Sequence, residues 1–181
     1  MADTPPLDAI PLSLMQSQPV KQVAIVVRDL EASCRAYWEH LRIGPWTAFE
    51  YTPAFLKEMT YMGQPAPFSL RHALAWKEGQ QFELIQPLEG PSIFADHLAQ
   101  HGEGLHHVGI YVPDHARAVA EITAAGFACL QSAKGFGATG DGAFAYFASP
   151  NLPGAIIELI GAPSVRREPL FVYPRPEESQ K

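Results

Sequence analysis

The chain carries one motif twice, and that repeat constrains its fold more than any other feature. The first copy opens on Lys21-Gln22-Val23-Ala24-Ile25-Val26-Val27 and closes on Phe82-Glu83-Leu84-Ile85. The second opens on His106-His107-Val108-Gly109-Ile110-Tyr111-Val112 and closes on Ile157-Glu158-Leu159-Ile160. The two copies match in order, in chemistry and nearly in length, and a metal-ligand residue type stands at each boundary. Such a chain folds as two similar units whose outer strands face one another.

Each copy reads as strand, helix, then three strands. Val23 to Val27 is a short β-branched run, and Asp29 N-caps a helix from Leu30 to about Leu41 that ends at Gly44-Pro45. Strands follow at Trp46 to Tyr51, Leu70 to Trp76 and Gln81 to Gln86, the last two joined by the Lys77-Glu78-Gly79-Gln80 turn. The second copy has a strand from His107 to Val112, a helix from Ala116 to Ala125 stopped by Gly126, and strands at Phe127 to Gln131, Ala143 to Ala148 and Ala155 to Ile160. This divides the chain into an N-terminal arm (1–19), a first βαβββ module (20–90), a linking helix (91–103), a second module (104–162) and a proline-rich C-terminal arm (163–181). The linking helix spans Ser92 to Gln100. An insertion at about 52–68, with Phe55, Met59, Tyr61, Met62 and Phe68, either covers a pocket or packs on the core.

Composition narrows the function. A net charge of −6 without any Lys/Arg run argues against tracking a nucleic-acid backbone. No apolar stretch approaches the roughly 20 residues that cross a bilayer. Cys34 and Cys129 lack metal-type spacing, and no signal-peptide pattern opens the chain, so a reducing cytoplasm is expected. Gly135-Phe136-Gly137-Ala138-Thr139-Gly140 matches G-x-G-x-x-G but opens no helix, so it lacks the amide cradle of a dinucleotide site.

First and last strands of such a unit can lie side by side, which brings Gln22, Glu83, His107 and Glu158 to one cleft. An amide oxygen, an imidazole nitrogen and two carboxylates form a mixed N/O set suited to one divalent ion of the Zn, Ni, Co or Mn kind. Alternation along the strands turns Phe82, Leu84, Ile157 and Leu159 to the opposite face. Taken singly, each carboxylate reads as a solvated strand residue and His107 as a hydrogen-bonded structural histidine; four matching positions favour the metal. His106, adjacent to His107, is expected on the opposite face as the structural member of the pair.

At these residues the chain resembles the vicinal oxygen chelate superfamily, which includes glyoxalase I, methylmalonyl-CoA epimerase, extradiol dioxygenases and bleomycin-resistance proteins. The likeness covers about residues 20–162. It is most specific from Phe82-Glu83-Leu84-Ile85-Gln86-Pro87-Leu88 through Gly102-Glu103-Gly104-Leu105-His106-His107, and at Gly154-Ala155-Ile156-Ile157-Glu158-Leu159, which are similar to methylmalonyl-CoA epimerases. The resemblance implies an α+β fold in which paired βαβββ modules form a U-shaped metal cleft that chelates two vicinal substrate oxygens. Departures matter: epimerases place His where Gln22 stands, and the Gln, Glu, His, Glu order resembles eukaryotic glyoxalase I. The positions at which that enzyme holds glutathione are here Val26, Pro87 and Glu103, which offer it no matching contacts. An epimerase's second acid/base is a carboxylate on the third strand of the first module, and the nearest titratable residue here is His72 beside Arg71. Extradiol dioxygenases need a second His among the ligands, which is missing.

The implied chemistry is proton abstraction next to a carbonyl with a metal-stabilised enediolate, in an isomerase, epimerase or lyase. Glu158 or Glu83 is the expected base, His72 a second proton shuttle, and Lys134 and Arg71 candidate contacts to the small-molecule substrate. The rival reading is a non-enzymatic small-molecule binder of the bleomycin-resistance type. Members of the superfamily are often dimers, so a homodimer is expected.

Overall fold

The computed structural model describes residues 17–149 and 152–175. Most of the expected N-terminal arm and the last residues of the chain lie outside that range. The first unit consists of β1 (Val20–Val26), α1 (Leu30–Leu41), β2 (Trp46–Tyr51), β5 (Leu70–Lys77) and β6 (Gln80–Pro87), with β3 (Lys57–Tyr61) and β4 (Gln64–Pro65) in the insertion. After α2 (Ile93–His101) the second unit follows as β7 (Gly104–Tyr111), α3 (His115–Ala124), β8 (Ala128–Phe136), β9 (Gly142–Ser149) and β10 (Leu152–Gly161), and β11 (Phe171–Tyr173) closes the described chain. This is the α+β architecture of paired βαβββ units.

All strands among the described residues belong to one curled sheet in the order β11-β2-β5-β6-β1-β7-β10-β9-β8-β3-β4. The units are mirrored within it: β1 runs parallel to β6, and β7 parallel to β10. The two opening strands β1 and β7 pair antiparallel at the centre.

Local chemistry explains the helices. Asp29 and Asp114 cap α1 and α3 by accepting from the backbone N–H groups of Ala32 and Arg117, both at 3.0 Å. Leu30 and Cys34 of α1 pack on Leu84, Ala73 and Trp46, and Ala118 and Ile122 of α3 pack on Phe147, Ile157 and Leu159. Both helices therefore cover the convex face, and Phe82, Leu84, Ile157 and Leu159 turn to them as alternation requires. A third cluster lines the concave face, where Phe94 of α2 packs with Tyr51, Phe68, Phe144 and Tyr146.

Two segments differ from expectation. The insertion is a hairpin that extends the sheet: β3 pairs with β8, with Thr60 opposite Ser132 and Lys57 opposite Lys134. That pairing satisfies the outer edge of β8 and explains why the strand runs on to Phe136 instead of ending near Gln131. Leu56, Met59 and Phe68 are buried in the concave cluster. Nor is the chain beyond Pro163 a free arm. It leaves the β8–β9 turn, where Ala138 N–H donates to the Val165 carbonyl at 2.8 Å, and reaches β2, where β11 pairs with Trp46–Ala48. Insertion and C-terminal segment thus both run from one rim of the curl to the other. The G-x-G-x-x-G stretch is the β8–β9 hairpin and opens no helix. No helix among the described residues is long and apolar enough to cross a membrane.

Leu159 is fully buried under α3, and its side chain faces away from Glu158. Leu159→Ala is expected to cost about 2–5 kcal/mol through the cavity it leaves. In urea titration the midpoint falls at unchanged m-value.

Candidate metal centre

The strand register writes the site as two rows across the middle of the sheet. One row reads Gln81, Gln22, Gly109, Glu158, Tyr146 along β6, β1, β7, β10 and β9. The other reads Leu74, Glu83, Ala24, His107 along β5, β6, β1 and β7. Residues two apart on a strand share a face, so both rows point into the concavity. Small residues, Ala24 and Gly109, alternate with the polar ones and leave room for them. A Cβ on Gly109 would stand 2.8 Å from Gln22 Cβ, and nearer still to Gln22 Oε1.

Ligand-type atoms of Glu83, His107 and Glu158 lie within 4.8 Å of one another, and all three residues are buried. His107 Nε2 is 3.1 Å from Glu158 Oε2 and 3.5 Å from Glu83 Oε2. Glu83 Oε1 accepts from His72 Nδ1 at 2.7 Å, and Glu158 Oε1 accepts from the Tyr146 hydroxyl at 2.7 Å. Gln22 lies beside Glu158's neighbour Gly109, and its Nε2 donates to Gln81 Oε1 at 3.0 Å, as does the Tyr111 hydroxyl at 2.6 Å. This orientation leaves Gln22 Oε1 buried without a hydrogen bond, as is Glu83 Oε2. Buried polar atoms almost always find partners, so an amide oxygen and a carboxylate oxygen bare in one cavity fit a cation. Both atoms, with His107 Nε2 and Glu158, form the oxygen-rich N/O set that a divalent ion takes.

Electrostatics of the cluster agree with a site for positive charge. Burial by itself raises the Glu83 carboxyl, but His107, 3.5 Å from Oε2, and the hydrogen bond from His72 outweigh it and hold the group at about 2. Burial also works against a charged His107, yet hydrogen bonds to Glu158 and Glu83 prevail and lift it to about 9. Burial raises Glu158, only partly offset by His107. A proton on His107 is the cation these carboxylates hold.

His106 stands on the same side as His107, against the alternation rule. The register of β1 on β7 steps from Ala24 opposite His107 to Ile25 opposite Leu105, so His106 is the extra residue of a β-bulge. Its Nδ1 lies 2.9 Å from His107 Nδ1, and its ring also bonds the Ile93 backbone. A donor to Ile93 leaves the other nitrogen to accept from His107 Nδ1–H. That fixes the His107 tautomer with Nε2 toward the carboxylates, the role an outer hydrogen-bond partner plays for a ligating histidine. Burial, with His107 and His97 beside it, lowers His106 to about 3, so it stays neutral as an acceptor.

His72 shares the cavity: because a carboxylate only accepts, Nδ1 carries the proton given to Glu83, and Nε2 is buried, unpartnered and on the cavity wall. The structure does not bring Arg71 or Lys134 there. Arg71 alternates to the other face of β5 and pairs with Glu50 at 2.7 Å, and Lys134 pairs with Glu58 at 2.6 Å on the surface. Sequence reasoning missed Gln81, Tyr51, Tyr111, Tyr146 and Arg166. Alternation from Glu83 points to Gln81, and from Phe144 to Tyr146; Arg166 has no local signal.

Known proteins bear on this geometry. A family model described as the Glyoxalase/Bleomycin resistance protein/Dioxygenase superfamily matches residues 21–147. Among solved structures, a variant Streptomyces coelicolor methylmalonyl-CoA epimerase in complex with 2-nitronate-propionyl-CoA is similar at 19% identity and a TM-score of 0.58, covering 80% of this chain and 97% of that one. The Mycobacterium tuberculosis methylmalonyl-CoA epimerase is similar at 23% identity and a TM-score of 0.57, with 79% and 87% covered. A hypothetical protein from Bacillus halodurans C-125 is similar at 19% identity and a TM-score of 0.58, with 84% and 99% covered. At these identities the likeness is one of fold. No curated protein matches the chain.

Metal binding at His107 Nε2 must displace the proton held there up to about pH 9. Calorimetry in buffers of different ionisation enthalpy is expected to show close to one proton released per ion at pH 7, with affinity rising about tenfold per pH unit and levelling off above pH 9. Proton release that stays at zero across this range would contradict the arrangement. Gly109→Ala, which drives a methyl into Gln22, is expected to fold and to bind metal about 10- to 100-fold more weakly in a chelator competition.

Proposed function

This chain belongs to the glyoxalase/bleomycin resistance protein/dioxygenase superfamily, and from that premise we propose that it is a divalent-metal-dependent enzyme that moves a proton next to a carbonyl, an epimerase or isomerase by type. The carrying observation is that Gln22, Glu83, Glu158 and His72 line one cavity, with Gln22 Oε1 and His72 Nε2 buried there without partners and His107 clustered with the two carboxylates behind it. Gln22, Glu83, His107 and Glu158 are the residues that would hold the ion, which would supply Lewis-acid polarisation of a substrate carbonyl and so acidify the neighbouring C–H.

The protein supplies the acid/base groups. Glu83 holds His72 by Nδ1 and turns its Nε2 into the cavity, the orientation that a general base requires. His72 is thereby a stronger candidate for the base than Glu83, whose two oxygens are taken up by His72 and by the ion site. Glu158, raised by burial and bonded to the Tyr146 hydroxyl, flanks the cluster from β10 as His72 does from β5. Two proton-carrying groups on opposite flanks suit a reaction that removes a proton on one face of a carbon and returns one on the other. The aromatic wall of Tyr51, Phe136, Phe144 and Tyr146 excludes water from the reacting carbon.

The similar solved epimerases make acyl-CoA thioesters the first substrates to screen, followed by 2-oxo-aldehyde adducts and aromatic hydroxyketones. Protein purified without a nickel column is expected to carry a stoichiometric divalent ion, and a metal-free preparation would favour the binder reading instead. In D₂O, metal-loaded protein should exchange the α-proton of its substrate. His72→Gln is expected to slow that exchange about 10²- to 10⁴-fold at unchanged metal content, and full exchange in that variant would remove His72 from the mechanism.

A further inference from the structure

The C-terminal segment carries a cation to the cavity mouth. Ala162, Pro163 and Arg166 line the same cavity as Gln22, His72, Glu83 and Glu158. The backbone around Arg166 is fixed on both sides: Val165 accepts from Ala138 N–H at 2.8 Å, and Leu170 N–H donates to Ala48 at 2.7 Å. Pro163 sits against Gly137, whose φ of +90° and crowding by Pro163 leave no room for a Cβ. The segment is therefore held in place, and the guanidinium stands 5.9 Å from the centre of the Phe49 ring.

Three other cations have their own carboxylate: Arg71 pairs with Glu50, Arg117 with Glu121 and Lys134 with Glu58. Arg166 has no carboxylate partner among the described residues. It is also the one permanent cation among the residues that line the cavity. Its charge reaches inward far enough to bear on the phenols of Tyr51 and Tyr111.

We infer that Arg166 is a specificity-determining residue, and that the substrate carries a carboxylate close to its reacting carbonyl, bound by the guanidinium fork while the carbonyl end faces Gln22, Glu83, His107 and Glu158. A planar guanidinium matches a carboxylate with two parallel hydrogen bonds. This assignment rests on the metal-site reading given above. Arg167 shows the contrasting use of the same side chain: it lies 3.8 Å from the centre of the Phe55 ring, away from the cavity, and fastens the segment.

Two hydroxamates separate these roles, since both chelate through vicinal oxygens and only one carries a carboxylate. Calorimetry on the zinc-loaded full chain should find N-hydroxysuccinamic acid about 10- to 100-fold tighter than acetohydroxamic acid. Arg166→Gln should abolish that preference and hold the acetohydroxamic acid affinity within about twofold. Equal affinities in the wild type, a preference that survives in Arg166→Gln, or an equal loss for both ligands in that variant would each overturn the assignment. Failure of both hydroxamates to bind the wild type would instead overturn the metal site on which it rests.

Discussion

The antiparallel pairing of β1 with β7 is the contact on which the rest of the molecule depends. It sets Gln22 against Gly109 and Ala24 against His107 at the centre of the sheet. Because each of these strands also pairs in parallel with the last strand of its own unit, Glu83 arrives from one side and Glu158 from the other. A slip of one residue would turn every one of these side chains to the helix-covered face. The bulges in this ladder are therefore part of the site. One at Lys21 sets Gln22 opposite the glycine that makes room for it, and one at His106 turns a second imidazole toward His107.

Burial makes that assembly demanding. Two carboxylates and an imidazole out of water need compensating charge, and removing one partner from such a group costs about 3–5 kcal/mol because the others are left uncompensated. Without an ion, the compensation is a proton on His107, drawn there by Glu83 and Glu158. An ion would take over that proton's role, with the same residues turned the same way. His106, Tyr146, Gln81 and His72 each occupy one further atom of a candidate ligand, so the orientation of the four side chains is determined by a second layer of hydrogen bonds.

Much of this was legible in the sequence because strand alternation is a local property. Glu83 between Phe82 and Leu84, and Glu158 between Ile157 and Leu159, read correctly as one polar residue facing in and two apolar neighbours facing the helices. The same rule separates His72 from Arg71: Leu70 and Leu74 share the face of His72, and Arg71 takes the other. What escaped was set by pairing between distant segments. No pattern around His106 announces a bulge, since the register shift is defined by β1. The insertion reads as cover for a pocket or as packing on the core, and its strand pairing is visible only once β8 is seen to need an edge partner; Arg166 lies in a polar, proline-bearing stretch whose place is decided by Gly137 on one side and β2 on the other.

Gln22 shows how the hydrogen-bond layer argues for the ion. A carboxamide has a donor end and an acceptor end, and in a buried site both need partners; a bare buried oxygen costs about 1–3 kcal/mol. Its donor end is fixed on Gln81 Oε1, which also accepts from Tyr111, so the oxygen is turned toward Gly109 and the cavity. The methyl group missing at Gly109 is the space that this orientation needs. A fold that needed only a filled core at this point would take an apolar side chain at position 22 and leave no acceptor bare. Instead it keeps a buried acceptor bare in the cavity that Glu83 also lines, where Glu83 Oε2 accepts no hydrogen bond and has only His107 Nε2 at 3.5 Å, within a ladder that cannot shift. Those two costs fall in one cavity, and a single divalent cation would offset both.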